Sequence, residues 1–266
     1  LTTVNAETQA LISFLGLEGL ERVPVASLSY GGQRLVEIGI PLAARPRVLL
    51  LDEPLVGLAA TERERITALV RSLAPHMAVL LVEHDMDRVF TLADRITAMN
   101  EGRVIADGTS DEIRNDVEVQ RVYLGSGAAR SAAARESGVQ DAGPPLLEVA
   151  AINTYYGKSH VLHDVSFAVR EREVVALLGR NGAGKTSLLN CLLGLTSPNE
   201  GESRLFDCPS LALTDDVKAR LGYVAQTPEL FDWLRVREQI SLIGGLYPGW
   251  TEAHAQSLML RFQLPE

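Results

Sequence analysis

Val174-Val175-Ala176-Leu177-Leu178-Gly179-Arg180-Asn181-Gly182-Ala183-Gly184-Lys185-Thr186 is the stretch whose reading decides the fold. Its first five residues are apolar without alternation, the pattern of a strand buried on both faces. Gly179 to Thr186 then fits the phosphate-loop spacing, and Lys185 to Leu193 continues as a helix. Glycines let backbone N–H groups close around phosphate oxygens, and the positive end of a helix favours the same anion. Lys185 places a point charge on the outer phosphates of ATP, and Thr186 offers a hydroxyl to Mg²⁺. Gly179, Arg180, Asn181, Gly182, Ala183, Gly184, Lys185, Thr186 and Ser187 are therefore the candidate ATP contacts. The bland alternative, a glycine turn that only caps a helix, does not account for the strand before it.

Outward from this loop, Leu147 to Ile152 and Val165 to Val169 alternate as strands, and Leu221 to Ala225 is a further short one. On the N-terminal side, Val48 to Leu51 and Met77 to Val82 are strand-sized apolar runs. Glu7 to Leu17, Gln33 to Ala44 and Glu62 to Leu73 carry apolar residues at helical spacing. Asn100-Glu101-Gly102 between Ile96–Met99 and Arg103–Ala106 signals a hairpin. Thr109-Ser110-Asp111-Glu112 has the form of a capping box. Short apolar strands alternating with helices predict an α/β domain with a mostly parallel sheet, joined by an antiparallel β part.

Residues 125–145, GSGAARSAAARESGVQDAGPP, are small and polar without periodicity and read as a flexible linker. They divide the 266 residues into a front segment, 1–124, and a rear segment, 146–266. Residues 11–17 resemble 258–264, either by chance or because the chain covers one period of a tandem repeat. The chain opens on Leu1, as a piece of a longer product would. Apolar residues make up 46%, as in a globular protein, and no apolar run approaches the ~20 residues of a membrane helix. A net charge of −9 argues against a nucleic-acid partner. Cys191 and Cys208 lack metal-ligand spacing and read as free thiols.

Further candidates sit at strand ends. In Leu51-Asp52-Glu53-Pro54, Asp52 is placed to hold Mg²⁺ and Glu53 to polarise an attacking water. Alone, such a pair is more often two solvated acids. His84, after Val82-Glu83, can reach a γ-phosphate, although a lone histidine is more often structural. His76, His160, His163 and His254 get only that reading. Gln226 can reach Mg²⁺ and water, or be a plain polar strand end. In Leu28-Ser29-Tyr30-Gly31-Gly32-Gln33-Arg34, Ser29, Gly31 and Gly32 can donate to phosphate at a helix start, or only cap it. Tyr155 or Tyr156 can stack on adenine, or pack across a sheet.

Together these motifs resemble the ATP-binding cassettes of ABC transporters, over nearly all of both segments. The resemblance makes Gly179–Thr186 the Walker A, LLLDEP the Walker B with Glu53 catalytic, and LSYGGQ the signature. Gln226 matches the Q-loop, His84 the H-loop and Tyr156 the A-loop aromatic. It implies a P-loop NTPase (RecA-like) fold with a partial helical subdomain, Mg-ATP as ligand, a second cassette and transmembrane permease subunits as partners, and a place at the cytoplasmic face of the inner membrane. The front segment is similar to one ATPase subunit of branched-chain amino-acid importers, and the rear to the start of its partner. From about Pro198 on, the chain looks more like certain exporters. Gly32 stands where the signature usually has Gln, and Ala59 where an Asp or Asn is usual. Pro41 should disturb the signature helix.

The order of these motifs is circularly permuted: signature, Walker B and H-loop precede A-loop, Walker A and Q-loop. Two arrangements are open. A piece of a tandem fusion would leave apolar strand edges unpaired, with Lys185 and Ser29 sharing one nucleotide. A self-contained permuted cassette would pair them, with Lys185, Asp52, Glu53, His84 and Gln226 on one nucleotide and Ser29 turned to another copy. The leading functional expectation is the ATPase subunit of a transporter. The alternatives are a cassette that binds ATP without turnover and a twin-cassette protein of ribosomes or DNA. For the last, the acidic balance and short linker are unsuited.

Overall fold

The computed structural model describes residues 2–124, 144–227 and 230–244. In chain order its elements are α1 (Thr2–Phe14), α2 (Tyr30–Leu42), β1 (Val48–Asp52), α3 (Ala60–Leu73), β2 (Ala78–Glu83), α4 (Met86–Leu92), β3 (Arg95–Asn100), β4 (Arg103–Gly108), α5 (Ser110–Asn115), α6 (Val117–Val119), β5 (Leu147–Tyr156), β6 (Ser159–Val169), β7 (Val174–Gly179), α7 (Lys185–Leu192), β8 (Glu200–Leu205), β9 (Cys208–Pro209), α8 (Asp215–Lys218), β10 (Leu221–Val224) and α9 (Val236–Gly244). They form two compact units, residues 1–77 with 219–266, and residues 78–218. Each unit draws on both sides of 125–145. Residues 125–143 and 258–264, which carry the linker and repeat readings, lie outside the described residues.

In the first unit β1 is buried at all five positions, as its unbroken apolar run requires. It runs parallel to β10, with Val48 beside Leu221 and Leu51 beside Val224. A front strand is thus paired with a rear one. The segments meet again where Val25 N–H donates to the Leu234 carbonyl and Val236 N–H to that of Val23. Helix α3 buries Ile66, Leu69, Val70 and Leu73, one apolar stripe. Helix α2 starts at Tyr30, three residues ahead of the expected Gln33, because the Ser29 hydroxyl accepts from Gly32 N–H at 3.1 Å and caps the turn. Pro41 does not break this helix. It sits in the last turn, where only the bond back to residue 37 is lost, and the helix ends one residue later.

The second unit holds two sheets. In one, β2 and β3 flank β7 in parallel, and β4 closes on β3 in the antiparallel sense. Here too a front strand, β2, pairs with a rear one, β7. The expected hairpin joins β3 to β4 through Glu101 and Gly102, both at positive φ (47° and 76°), as a tight two-residue turn requires. The other sheet is antiparallel, in the order β6-β5-β8-β9. Val89, Ile96, Ala98, Ile113, Val119, Ala176 and Leu178 form a buried core that joins strands to the tail helices. The capping box at Thr109 is present: its hydroxyl accepts from Glu112 N–H, and the Glu112 carboxylate accepts from Thr109 N–H at 2.8 Å. Cys191 and Cys208 are free thiols, and burial pushes the Cys191 thiol up. The architecture is the α/β fold that the strand–helix alternation predicted.

Candidate functional site

The phosphate-type loop leaves the C-terminal end of β7. Gly182 and Gly184 stand at φ +85° and +96°, backbone that other residues adopt at a cost. Gly184 is the N-cap of α7 and has no side chain to offer its first amides. Lys185 is only 6% exposed. Its ammonium donates to the carbonyls of Gly179 (2.6 Å) and Arg180 (3.4 Å), so the loop curls around the charge. Asn181, Gly182 and Thr186 are exposed, and Ser187 is half-buried. A helix start without a side-chain cap, beside a buried ammonium and an exposed hydroxyl, fits a polyphosphate. The turn of the β3–β4 hairpin backs this loop: Gly102 N–H donates to the Ala183 carbonyl at 3.1 Å, and His163 N–H to the Gly102 carbonyl at 2.8 Å.

His84 follows the end of β2 and is exposed. Because Glu83 of β2 lies beside Leu178 of β7, His84 emerges at the same end of two paired strands as the loop. Tyr155 and Tyr156 end β5. Tyr155 stacks on His160, its cross-strand partner, with ring centroids 4.1 Å apart, so it follows the packing alternative. Tyr156 is exposed and remains the aromatic candidate. His160 also meets the His163 ring at 3.7 Å and lies 3.0 Å from the Asn153 side-chain oxygen. The His163 pKa is pushed down by partial burial, then by His160 and Arg103.

In the first unit, the ends of β1 and β10 bring Asp52, Glu53 and Gln226 together. The Gln226 amide donates to the Glu53 carboxylate at 2.9 Å, although 173 residues separate them. Asp52 and Glu53 are buried, and Glu53 has a left-handed backbone, φ 45°. Arg34, 1% exposed, explains how that turn is held. Its guanidinium donates to the carbonyls of Asp52, Glu53, Pro54 and Ala225, and to the Glu37 carboxylate at 2.6 Å. Sequence reading missed Arg34. The available signal was an Arg–Glu pair three residues apart on the buried face of a helix.

Ser29, Gly31 and Gly32 lie at the start of α2, and two of them already hold an anion. The Glu62 carboxylate accepts from the Ser29 hydroxyl at 2.7 Å and from Gly31 N–H at 3.3 Å. Its other oxygen takes Ala59 N–H at the start of α3. The Ser29 bond, then those from Ala59 and Gly31, hold the Glu62 carboxyl below its usual range, against a smaller upward push from burial. A side chain on Gly31 would collide with that carboxylate, 2.5 Å away. Glu62 was also missed, since residues 33 positions apart show no linear pattern. Among the described residues no three His, Cys, Asp or Glu form a metal cluster. The expected ligands Thr186, Asp52 and Gln226 are hard oxygen donors suited to Mg²⁺.

Comparison with known proteins gives several matches. The sequence profile described as ABC transporter matches residues 3–56 and 162–266, over half of the chain. A second profile, branched-chain amino acid ATP-binding cassette transporter, matches residues 103–129. The ribose import ATP-binding protein RbsA 3 of Rubrobacter xylanophilus is 31% identical over 83% of this chain and 43% of that protein. The high-affinity branched-chain amino acid transport ATP-binding protein BraF of Pseudomonas aeruginosa is 43% identical over 37% of this chain and 40% of that protein. The solved ADP conformation of MJ1267, an ATP-binding cassette of an ABC transporter, is 30% identical, with a TM-score of 0.43 over 46% of this chain and 50% of that one. The chain spans under half the length of the ribose-import relatives it matches.

Proposed function

This chain belongs to the ABC transporter family, and from that premise we propose that it is a circularly permuted cassette that binds and hydrolyses Mg-ATP to drive an importer. One observation carries the reading. In each unit a front strand runs parallel to a rear strand, and the candidate residues emerge at the carboxyl ends of those pairs. Asp52, Glu53 and Gln226 do so in one unit, and His84 and the phosphate loop in the other.

In this reading Lys185 and the loop amides bind the phosphates, and Arg180, Asn181 and Ser187 line them. Tyr156 stacks on the base. Thr186, Asp52 and Gln226 hold the ion, which neutralises phosphate charge when bound. Glu53, oriented by Gln226, polarises the attacking water, and His84 positions it. Ser29, Gly31 and Gly32 serve the ATP of a second cassette, and the grip of Ser29 and Gly31 on the Glu62 carboxylate supports an anion-binding role. Among the described residues no helix is long and apolar enough to cross a membrane. In this reading the cassette works against a permease at the inner face of the membrane. The match over residues 103–129 favours branched-chain amino acids as the transported solute. The longer matches to ribose-import proteins favour a sugar as the second reading.

The test is steady-state turnover of the chain and of Glu53→Gln, with nucleotide binding measured alongside. Wild type should hydrolyse ATP, and the variant should bind it while turnover falls about a hundredfold or more. Equal inactivity with intact binding would establish a non-catalytic cassette, and failure to bind would remove the reading altogether.

A further inference from the structure

We infer that Tyr123, in the tail that follows β4, is a positioning residue that braces the root of the phosphate loop. The tail is anchored first by burial. Ile113 and Val119 are buried in the core formed with Ile96 and Ala98 of β3 and Ala176 and Leu178 of β7. The chain then turns through residues 120–124 and lays the Tyr123 ring, partly buried, against the same core. Its hydroxyl lies 2.6 Å from the Met99 carbonyl and 3.2 Å from the Leu178 carbonyl. With one proton to give, it donates chiefly to Met99. Those carbonyls belong to neighbouring parallel strands, and Leu178 is the residue before Gly179. Met99 is also where the pairing of β3 with β4 slips out of register, so the hydroxyl serves a carbonyl at an irregular point of the ladder.

A second set of contacts reaches the loop itself. The Arg180 guanidinium sits over the Tyr123 ring, 5.9 Å from its centroid, and donates to the Tyr123 carbonyl at 3.5 Å. The Arg180 carbonyl meanwhile accepts from Ala183 N–H and from the Lys185 ammonium. Tyr123 thus grips one end of a residue whose other end shapes the loop and receives its lysine. Tail and loop form one constellation, and the tail fixes the loop in the form that takes phosphate. Burial carries the phenol up to about 12, against a smaller opposing pull from Arg180, so the hydroxyl stays a donor over the whole working pH range.

The inference rests on the nucleotide-binding reading of the loop. Its test compares the full chain with Tyr123→Phe, Arg180→Met and the double variant. The readouts are affinity for a fluorescent MgADP analogue, melting temperature, and amide hydrogen exchange over residues 179–186. Tyr123→Phe keeps the ring and removes the bridging proton. It should weaken nucleotide binding about fivefold and speed exchange in the loop, with little change in melting temperature. The double variant should fall short of the sum of the two singles. Wild-type affinity in Tyr123→Phe, or a lower melting temperature with affinity and exchange unchanged, overturns the brace. If wild type itself does not bind the analogue, the nucleotide reading fails, and loop exchange alone then decides the brace, unchanged exchange overturning it.

Discussion

Arg34 shows what one residue does at the centre of a site. A guanidinium has five N–H donors in a rigid fork, and this one spends them on four carbonyls and one carboxylate, all buried or nearly so. The acceptors come from the end of β1, the residue before Gln226, and its own helix. Removing Arg34 takes a donor from five acceptors at once, the Glu37 carboxylate and four backbone carbonyls, so Arg34→Ala should cost about 3–5 kcal/mol. Arg34→Met with Glu37→Leu removes both charges at similar volume and should recover part of that loss, the part owed to the buried carboxylate. Its turnover should still fall, because the carbonyls that shape the left-handed turn at Glu53 lose their donors. Denaturant melts of the three proteins check the first expectation and kcat against KM the second. A double variant as unstable as the single one contradicts the account. At this scale the candidate groups were legible in sequence and their supports were not. Glu53, Gln226 and Lys185 announce themselves by chemistry at a strand end. Arg34 and Glu62 act through backbone carbonyls and amides, which carry no residue identity.

Among the elements, the β3–β4 hairpin ties strand geometry to the phosphate loop. Its Gly102 bonds to Ala183 on one side and His163 on the other, at φ +76°. An added Cβ would stand 2.0 Å from the Val161 carbonyl oxygen, which is backbone and cannot swing away. Gly102→Ala should therefore cost at least about 1–3 kcal/mol through left-handed strain and the clash together. Glu101→Gly, which relaxes a positive φ at an exposed neighbour, should be neutral or slightly stabilising. Thermal denaturation of the two variants reads both effects, and a neutral Gly102→Ala rejects the close approach. Asn100-Glu101-Gly102 was visible in advance as a turn, because two-residue hairpins demand such residues. Its second task, backing the loop, depends on contacts to His163 and Ala183, far along the chain, and left no local mark. The start of α2 was displaced for a similar reason. Two glycines argue against helix, and the Ser29 cap outweighs them.

Over the whole molecule the question is how many nucleotides the candidate residues serve. The inverted motif order can be read from the sequence, but its meaning cannot, since order along a chain does not say which strands pair. The proposed reading is a single permuted cassette. If so, Thr186 and Asp52 act on one ion, and each chain takes up one nucleotide. Mn²⁺ with ADP then gives one paramagnetic centre per chain, and Thr186→Val and Asp52→Asn should each abolish that centre. A tandem-fusion piece behaves differently, because its Thr186 and Asp52 belong to separate nucleotides. Asp52→Asn would then leave the Thr186 centre intact, and a surviving signal in that variant refutes the permuted reading whatever the turnover measurements show.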